Sequence, residues 1–466
     1  MTRRRRSWPL LLPGLALCLL ALFACAPSHT CPSVARSTRV AATNDRFPLS
    51  LSANRRFLID ASGKPLFLLG DTAWSLIAQL RREEAELYLD DRRARGFNAI
   101  LVNLLEHRFA DNAPRNAYGH APFLSAAFDQ PCEEYFRHAD WILTRACAKG
   151  IAVFLVYAYL GYEGGDQGWA RELQHTSPET CRRFGAFLGH RYANLPNLVW
   201  VAGGDAAPDT LNLAPQVNAL VDGIRSAGAR QLHTAHSRRH RSACDDFNAA
   251  WLDLNTTYSD CDQALARLRL DGRRTPTLPF LLIEGRYENE GASPTCLRAQ
   301  AYWTLLTGGC GYFFGNLPVW GFGAGFEAGG RDWFSALDSP GVRSLSLFAQ
   351  LVRAWPWHRL QPDTQAQFLR DGPREAVAAF SVDDKLALIY MPKISRIRLD
   401  ARFLSDRPLL AVWYRPQDGR CHRVETVAPA AELVLDPPPG DDALALLARP
   451  SSLIEPCIPT PGRDGP

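Results

Sequence analysis

Residues 197–205, "NLVWVAGGD", run four apolar side chains into two glycines and end on an aspartate. Leu198, Val199, Trp200 and Val201 have the length and the β-branched and aromatic content of a buried strand. Gly203 and Gly204 permit a sharp turn or a close approach of other atoms. A buried strand that delivers a carboxylate at its C-terminal end is unusual on its own. It becomes informative when other strands of the chain do the same.

Reading outward from this stretch, short apolar runs alternate with helical patterns. "LFLLGDTAW" precedes it as a first strand, "NAILVNLL" as a second and "IAVFLVYAY" as a third. Helices separate them: "REEAELYLDDRRARG" and "EEYFRHADWILTRACAKG" each stop at a glycine, and "SPETCRRFGAFLGHRYA" starts with a Ser-Pro cap. Downstream, "RQLHTAHS", "LDLNTTYS", "LPFLLIEG" and "CGYFFGN" supply the fifth to eighth strands, the last two separated by a second Ser-Pro helix start. Continuous apolar strands alternating with helices imply a parallel sheet covered by helices. Eight such units predict a (β/α)₈ barrel over residues 47–358. An open doubly wound sheet is the other candidate, and it lacks a Gly-rich phosphate loop after the first strand. Beyond Trp357, eight short strands alternate with turns, from "QFLRDG" to "ALALLARP". They predict a small all-β sandwich over residues 359–449, followed by a proline-rich tail over 450–466.

The composition is that of a globular chain, 47% hydrophobic and 21% charged. A net charge of +4 from 52 basic and 48 acidic residues gives no reason to expect a nucleic-acid partner. The N-terminus is different. "MTRRRRSWPLLLPGLALCLLALFACAPS" has a basic segment, an apolar core and a small-residue junction, the layout of an export signal over residues 1–25. "LFAC" resembles a bacterial lipobox, which would make Cys25 the lipidated first residue. A polar tether over 26–46 would then link the barrel to a membrane anchor in the bacterial cell envelope. An ordinary cleaved signal is the alternative. Export would permit disulfides among the 12 cysteines, Cys244–Cys261 and Cys421–Cys457 being possible pairs. No zinc-type spacing occurs, so neither metal nor cofactor is expected.

In such a barrel, functional groups gather at the C-terminal ends of the strands. Those ends carry Asp71 and Trp74, Asn103, Tyr157 and Tyr159, Asp205, His236, Tyr258, Glu284, and Asn316 with Trp320. Two carboxylates, Asp205 and Glu284, finish the strongly apolar fourth and seventh strands among aromatic and amide side chains. Aromatic faces stack on sugar C–H surfaces while polar groups fix hydroxyls, so the expected ligand is an oligo- or polysaccharide. Glycosidic bond cleavage needs two carboxyl groups, one protonated and one ionised. Taken alone, an aspartate after Gly-Gly is commonly a helix cap, Asp71 could cap the first helix, and each Tyr or Trp could belong to the core. His236 can orient Glu284 or a hydroxyl. The two carboxyls are expected about 5–5.5 Å apart, the spacing for a covalent glycosyl-enzyme, with the proton held on Asp205 by its anionic neighbour.

"FLLGDTAWSLIAQLRREEAELYLDDRRARGFNAI", "NLVWVAGGD", "IEGRYE" and "RAQAYWTLLTGGCGYFFGNLPVW" together resemble the apiosidase-like glycoside hydrolases, secreted bacterial barrels often followed by a small β-domain labelled collagen-binding. The resemblance covers residues 47 to 449. It implies a retaining glycoside hydrolase with Asp205 as acid/base and Glu284 as nucleophile, and places Tyr287 and Glu288 beside the sugar. The activity characterised in that family is release of apiose from pectic side chains, but related barrels act on other glycans, and "NTTYSD" and "EGRYENEG" depart from the family pattern, so the resemblance leaves the sugar open. The competing expectation is an inactive, lipid-anchored glycan-binding protein.

Overall fold

The computed structural model describes residues 39–247, 249–325 and 332–449. The signal segment with Cys25, the start of the tether, and the tail with Cys457 lie outside the described residues. Within them, no helix is long and apolar enough to cross a membrane.

Eight parallel strands form the barrel: β1 (Leu68–Thr72), β2 (Ala99–Asn103), β3 (Ala152–Val156), β4 (Leu198–Gly203), β5 (Leu232–His236), β6 (Asn255–Tyr258), β7 (Phe280–Glu284) and β8 (Gly311–Phe314). Their order is 5-4-3-2-1-8-7-6, with the short strand Arg241–Ser242 added antiparallel to β6. All eight predicted strands are present, and the doubly wound alternative fails. A doubly wound sheet has two free edges. Here β5 and β6 close on each other through side chains instead of a regular ladder. Thr234 Oγ1 donates to Leu254 O at 2.8 Å, His233 N donates to Asp253 Oδ2 at 2.8 Å, and Thr256 Oγ1 donates to Ala235 O.

Helices cover the barrel because every strand is buried on both faces. Two of them start as the sequence indicates: Ser177 and Ser293 accept the backbone N–H three residues on, with proline at the first helical position. Cys261 and Cys296, at the starts of Cys261–Asp271 and Pro294–Leu306, form a disulfide. Cys244 is a free thiol, so the Cys244–Cys261 pairing is corrected. Spacing could not have found the true partner, because the two helix starts meet only after the barrel folds. Cys421 is disulfide-bonded, but its proposed partner, Cys457, lies outside the described residues.

The C-terminal part is all-β. A six-stranded antiparallel sheet contains Val377–Ser381, Leu386–Met391, Ala443–Ala448, Leu409–Tyr414 and Cys421–Val427, and a three-stranded sheet contains Leu369–Asp371, Ile397–Leu399 and Leu433–Leu435. Side-chain alternation explains how the six-stranded sheet is held. Leu386, Leu388 and Tyr390 pack with Tyr302, Leu305 and Phe348 of the barrel helices. Ala387, Ile389 and Met391 pack with Ile397, Leu399 and Leu435 of the smaller sheet. Tyr390 stacks on Tyr302 with ring centroids 4.6 Å apart. Beside this stack, Arg298 makes a buried two-point ion pair with Asp442, both contacts 2.8 Å.

Candidate active site

The turn after β4 explains the two glycines. Gly203, Gly204 and Asp205 all have positive φ, at 81°, 124° and 53°. A Cβ on Gly204 would sit 2.1 Å from the Tyr159 ring, and one on Gly203 would sit 2.4 Å from Phe247. Only glycine lets the chain turn here while Tyr159 comes close. Tyr159 then donates to Asp205 Oδ2 at 2.5 Å, and Asp205 Oδ1 has no hydrogen-bond partner among the described residues.

Glu284 arrives by a different device. Leu281 and Ile283 belong to the barrel-interior cluster with Phe154 and Phe313, whereas Phe280 and Leu282 pack with the helices. Strict alternation would send Glu284 outward. The register between β6 and β7 shifts at this point, so that Tyr258 pairs with Glu284 rather than Ile283. Such an irregularity re-aims a side chain at the strand end.

His236, at the end of β5 and fully buried, sits between Glu284 and the turn that carries Asp205. Its Nδ1 accepts from Asp205 N at 3.3 Å, which leaves the proton of the neutral ring on Nε2. Nε2 then donates to Glu284 Oε2 at 2.7 Å. Burial and the charge of Asp205 push the Glu284 carboxyl up to about 7, against the His236 hydrogen bond, which lowers it. Burial lowers the affinity of His236 for a second proton, but its bond to Glu284 and the charge of Asp205 outweigh that, so its pKa is raised. The carboxyl pushed toward its protonated form is thus that of Glu284, whereas the sequence reading put the proton on Asp205. The sequence carries no sign that Glu284 is the more enclosed of the two.

Asp205, His236 and Glu284 each present a donor atom within 4.8 Å of the others, a spacing a cation could bridge. Both ring nitrogens of His236 are already hydrogen-bonded, Nδ1 to the backbone N–H of Asp205 and Nε2 to Glu284, so the ring fixes Glu284 against the turn that carries Asp205.

Aromatic side chains surround these three residues. The Trp74 ring lies 5.4 Å from His236 and 5.7 Å from Tyr159, and its Nε1 donates to the Tyr287 hydroxyl at 3.0 Å. Tyr258 flanks His236 at 5.3 Å and accepts from Arg239 Nε at 3.1 Å. Trp320 packs on Phe109 at 5.3 Å and donates to Glu290 Oε1 at 2.7 Å. The predicted residues Trp74, Asp205, His236, Tyr258, Glu284 and Tyr287 therefore come together, with Trp320 on the adjoining wall.

Four others do not join them. Asp71 is fully buried against the helix Arg82–Ala94, accepting from Tyr88 at 2.8 Å and Arg92 at 3.2 Å. Burial pushes its carboxyl up to about 6 in spite of Arg92. Glu288 accepts from Gly341 N at 2.9 Å and from the Ser339 hydroxyl, capping the helix Pro340–Ala354. Tyr157 packs near Trp200, ring centroids 6.3 Å apart, behind the sheet. Because β3 ends at Val156, Tyr157 and Tyr159 no longer share a face, and Tyr159 is the tyrosine that reaches the site. Asn103 donates to Glu106 Oε2 at 3.2 Å.

Glu106 escaped the sequence reading. It is fully buried and accepts from Ser75 and from the backbone N–H groups of His107, Arg108 and Phe109. It thereby fixes the loop that sets Phe109 against Tyr159 and Trp320. The signal was available, since a glutamate directly follows the apolar run "AILVNLL".

A parallel barrel with paired carboxylates and an aromatic wall at its C-terminal mouth defines a glycoside-hydrolase-type architecture. Residues 52–359 match the family described as apiosidase-like, catalytic domain, and the chain belongs to that family. A crystal structure of a glycoside hydrolase family 5 protein from Bacteroides vulgatus has the same fold, with a TM-score of 0.76 at 23% identity, covering 88% of this chain and 95% of that one. A second solved structure, titled glycoside hydrolase, gives a TM-score of 0.75 at 22% identity over 88% of this chain and 99% of that one. No curated protein matches the chain.

Proposed function

We propose that the protein is a retaining glycoside hydrolase that removes a sugar from a polysaccharide side chain, with apiose on a pectic glycan as the first candidate. The observation that carries this reading is the close approach of Asp205 and Glu284, with a carboxylate oxygen of each within 4.8 Å of the other. Inverting enzymes hold their carboxyl groups about 6.5–9.5 Å apart to admit water, whereas retaining enzymes need about 5–5.5 Å.

In the first step Asp205 gives its proton to the glycosidic oxygen as the C–O bond breaks, and ionised Glu284 forms a bond to the anomeric carbon. In the second step Asp205 takes a proton from water, whose oxygen displaces Glu284. His236 Nε2 orients the Glu284 carboxylate, and Tyr159 orients Asp205. The raised Glu284 carboxyl favours one other assignment, in which Glu284 is the proton donor and Asp205 the nucleophile; covalent trapping separates the two. The resemblance of "GGD" and "EGRYE" to the family motifs supports the first assignment.

The test is sugar release from a panel of pectic oligosaccharides, followed by mass spectrometry. Release by the wild type and none by Glu284→Gln supports the reading. Glycan binding with no release would make the protein a lectin-like module. We further propose export and lipid anchoring at Cys25, because acyl chains supply membrane affinity. Cys25→Ser should then move the protein from the membrane to the soluble fraction, and unchanged fractionation would refute the anchor.

A further inference from the structure

On the face of the barrel opposite the carboxylates, a cleft of about 1100 Å³ separates the barrel from the β-domain. Its position follows from the chain. Gly272 and Thr307 line it, and each lies between the end of a helix and the start of the next strand, the N-terminal side of the barrel. The other wall comes from residues 361–378.

Five arginines line this cleft: Arg56, Arg269, Arg273, Arg370 and Arg374. Arg370 is paired with Asp400 at 3.3 Å. The other four make no ion pair among the described residues, and all four are exposed. Two acidic residues also line the cleft, but neither neutralises these arginines. Asp363 accepts the backbone N–H groups of Gln367, Phe368 and Leu369, and Asp371 pairs with Arg398 at 3.1 Å. Partial enclosure by the cleft walls and the charge of the neighbouring Arg273 lower the affinity of Arg269 for its proton. Like charges gathered without counter-ions raise the local concentration of anions. Guanidinium groups bind planar carboxylates through two parallel hydrogen bonds.

We propose that this cleft is an ancillary binding site for an acidic polysaccharide carrying a carboxylate on its repeating unit. The cleft is open to solvent and no aromatic ring lines it, so charge rather than stacking supplies recognition. The choice of a glycan over other anions rests on the glycosidase reading. A chain held here would keep the protein on its substrate while the opposite face works on side chains.

The test needs no turnover, so it can fail separately from the catalytic assignment. The full-length protein is run by affinity electrophoresis through gels containing polygalacturonate, its fully methyl-esterified form, or no polymer. Retardation by polygalacturonate alone, weakening with added NaCl, is expected. The triple variant Arg56→Gln/Arg273→Gln/Arg374→Gln, checked for an unchanged thermal melt, should bind roughly tenfold more weakly, the combined worth of three exposed ion pairs. Equal retardation by the esterified polymer, an undiminished triple variant, or binding only to phosphatidylglycerol vesicles would overturn the proposal.

Discussion

His236 Nε2 lies 2.7 Å from Glu284 Oε2 while its Nδ1 accepts from the backbone N–H of Asp205 at 3.3 Å, so one imidazole ties the Glu284 carboxylate to the turn that carries Asp205. In the proposed double displacement this ring holds Glu284 in place while Asp205 serves first as acid and then as base. Replacing the ring should change how the site titrates as well as how fast it works.

The pH dependence follows from the Glu284 carboxyl. It must be ionised to attack, and burial with the Asp205 charge pushes it up to about 7. kcat/KM should therefore fall about tenfold per pH unit below that value. In His236→Ala the hydrogen bond that lowers the Glu284 pKa is gone, so the acid limb should move to higher pH. A loss of kcat with an unmoved limb would mean that His236 is only structural.

Stability should move the other way from activity. The unfolded Glu284 titrates near 4.5, below its folded value. The folded state therefore holds more protons between about 4.5 and 7, and the associated stability is lost as pH rises through that window. Glu284→Gln removes the cost of a buried anion, so at pH 8 it should melt a few degrees above wild type. The gain should vanish below pH 4. A variant less stable at pH 8 would contradict the raised carboxyl.

The Gly204 turn is a sharper geometric test. Gly204→Ala must place its Cβ against the Tyr159 ring and hold φ near 124°. Strain on the order of 1–3 kcal/mol is expected, with Asp205 displaced from Tyr159 and activity lost. Chemical denaturation with kinetics checks both.

The β-domain is tied to the barrel by the buried Arg298–Asp442 pair, which Tyr390 also joins at 2.8 Å. Asp442→Ala leaves an uncompensated buried guanidinium and should cost roughly 3–5 kcal/mol. The double variant Arg298→Met/Asp442→Leu should recover most of that loss. Truncation after Trp357 should yield insoluble protein, because the helix faces carrying Tyr302 and Phe348 would be uncovered. A soluble, active barrel would show that the β-domain is independent.

Most strands were legible because they are buried on both sides and apolar throughout, as "NLVWV" and "FLLIE" show, whereas β5 "LHTAH" and β6 "NTTY" are buried but polar and carry a weaker signal. Asp205 and Glu284 stood out as the charges that end such runs. What could not be read was where a side chain turns once its strand stops. Tyr157 and Tyr159 have the spacing of one face, yet only Tyr159 enters the site. Asp71 turns to Arg92 and Glu288 to a helix start, because partners distant in the chain satisfied those carboxylates first. The shift that brings Glu284 inward depends on β6, which local sequence does not encode.

Covalent trapping tests the central claim most directly. Asp205→Asn should still transfer the sugar from an activated aryl glycoside, since a good leaving group needs no acid, but should lack the base that releases it. Rapid quench and peptide mass spectrometry should then find one glycosyl residue esterified to Glu284, discharged on adding azide. A label on Asp205 in the wild type, or no adduct together with an inverted first product, would contradict the account.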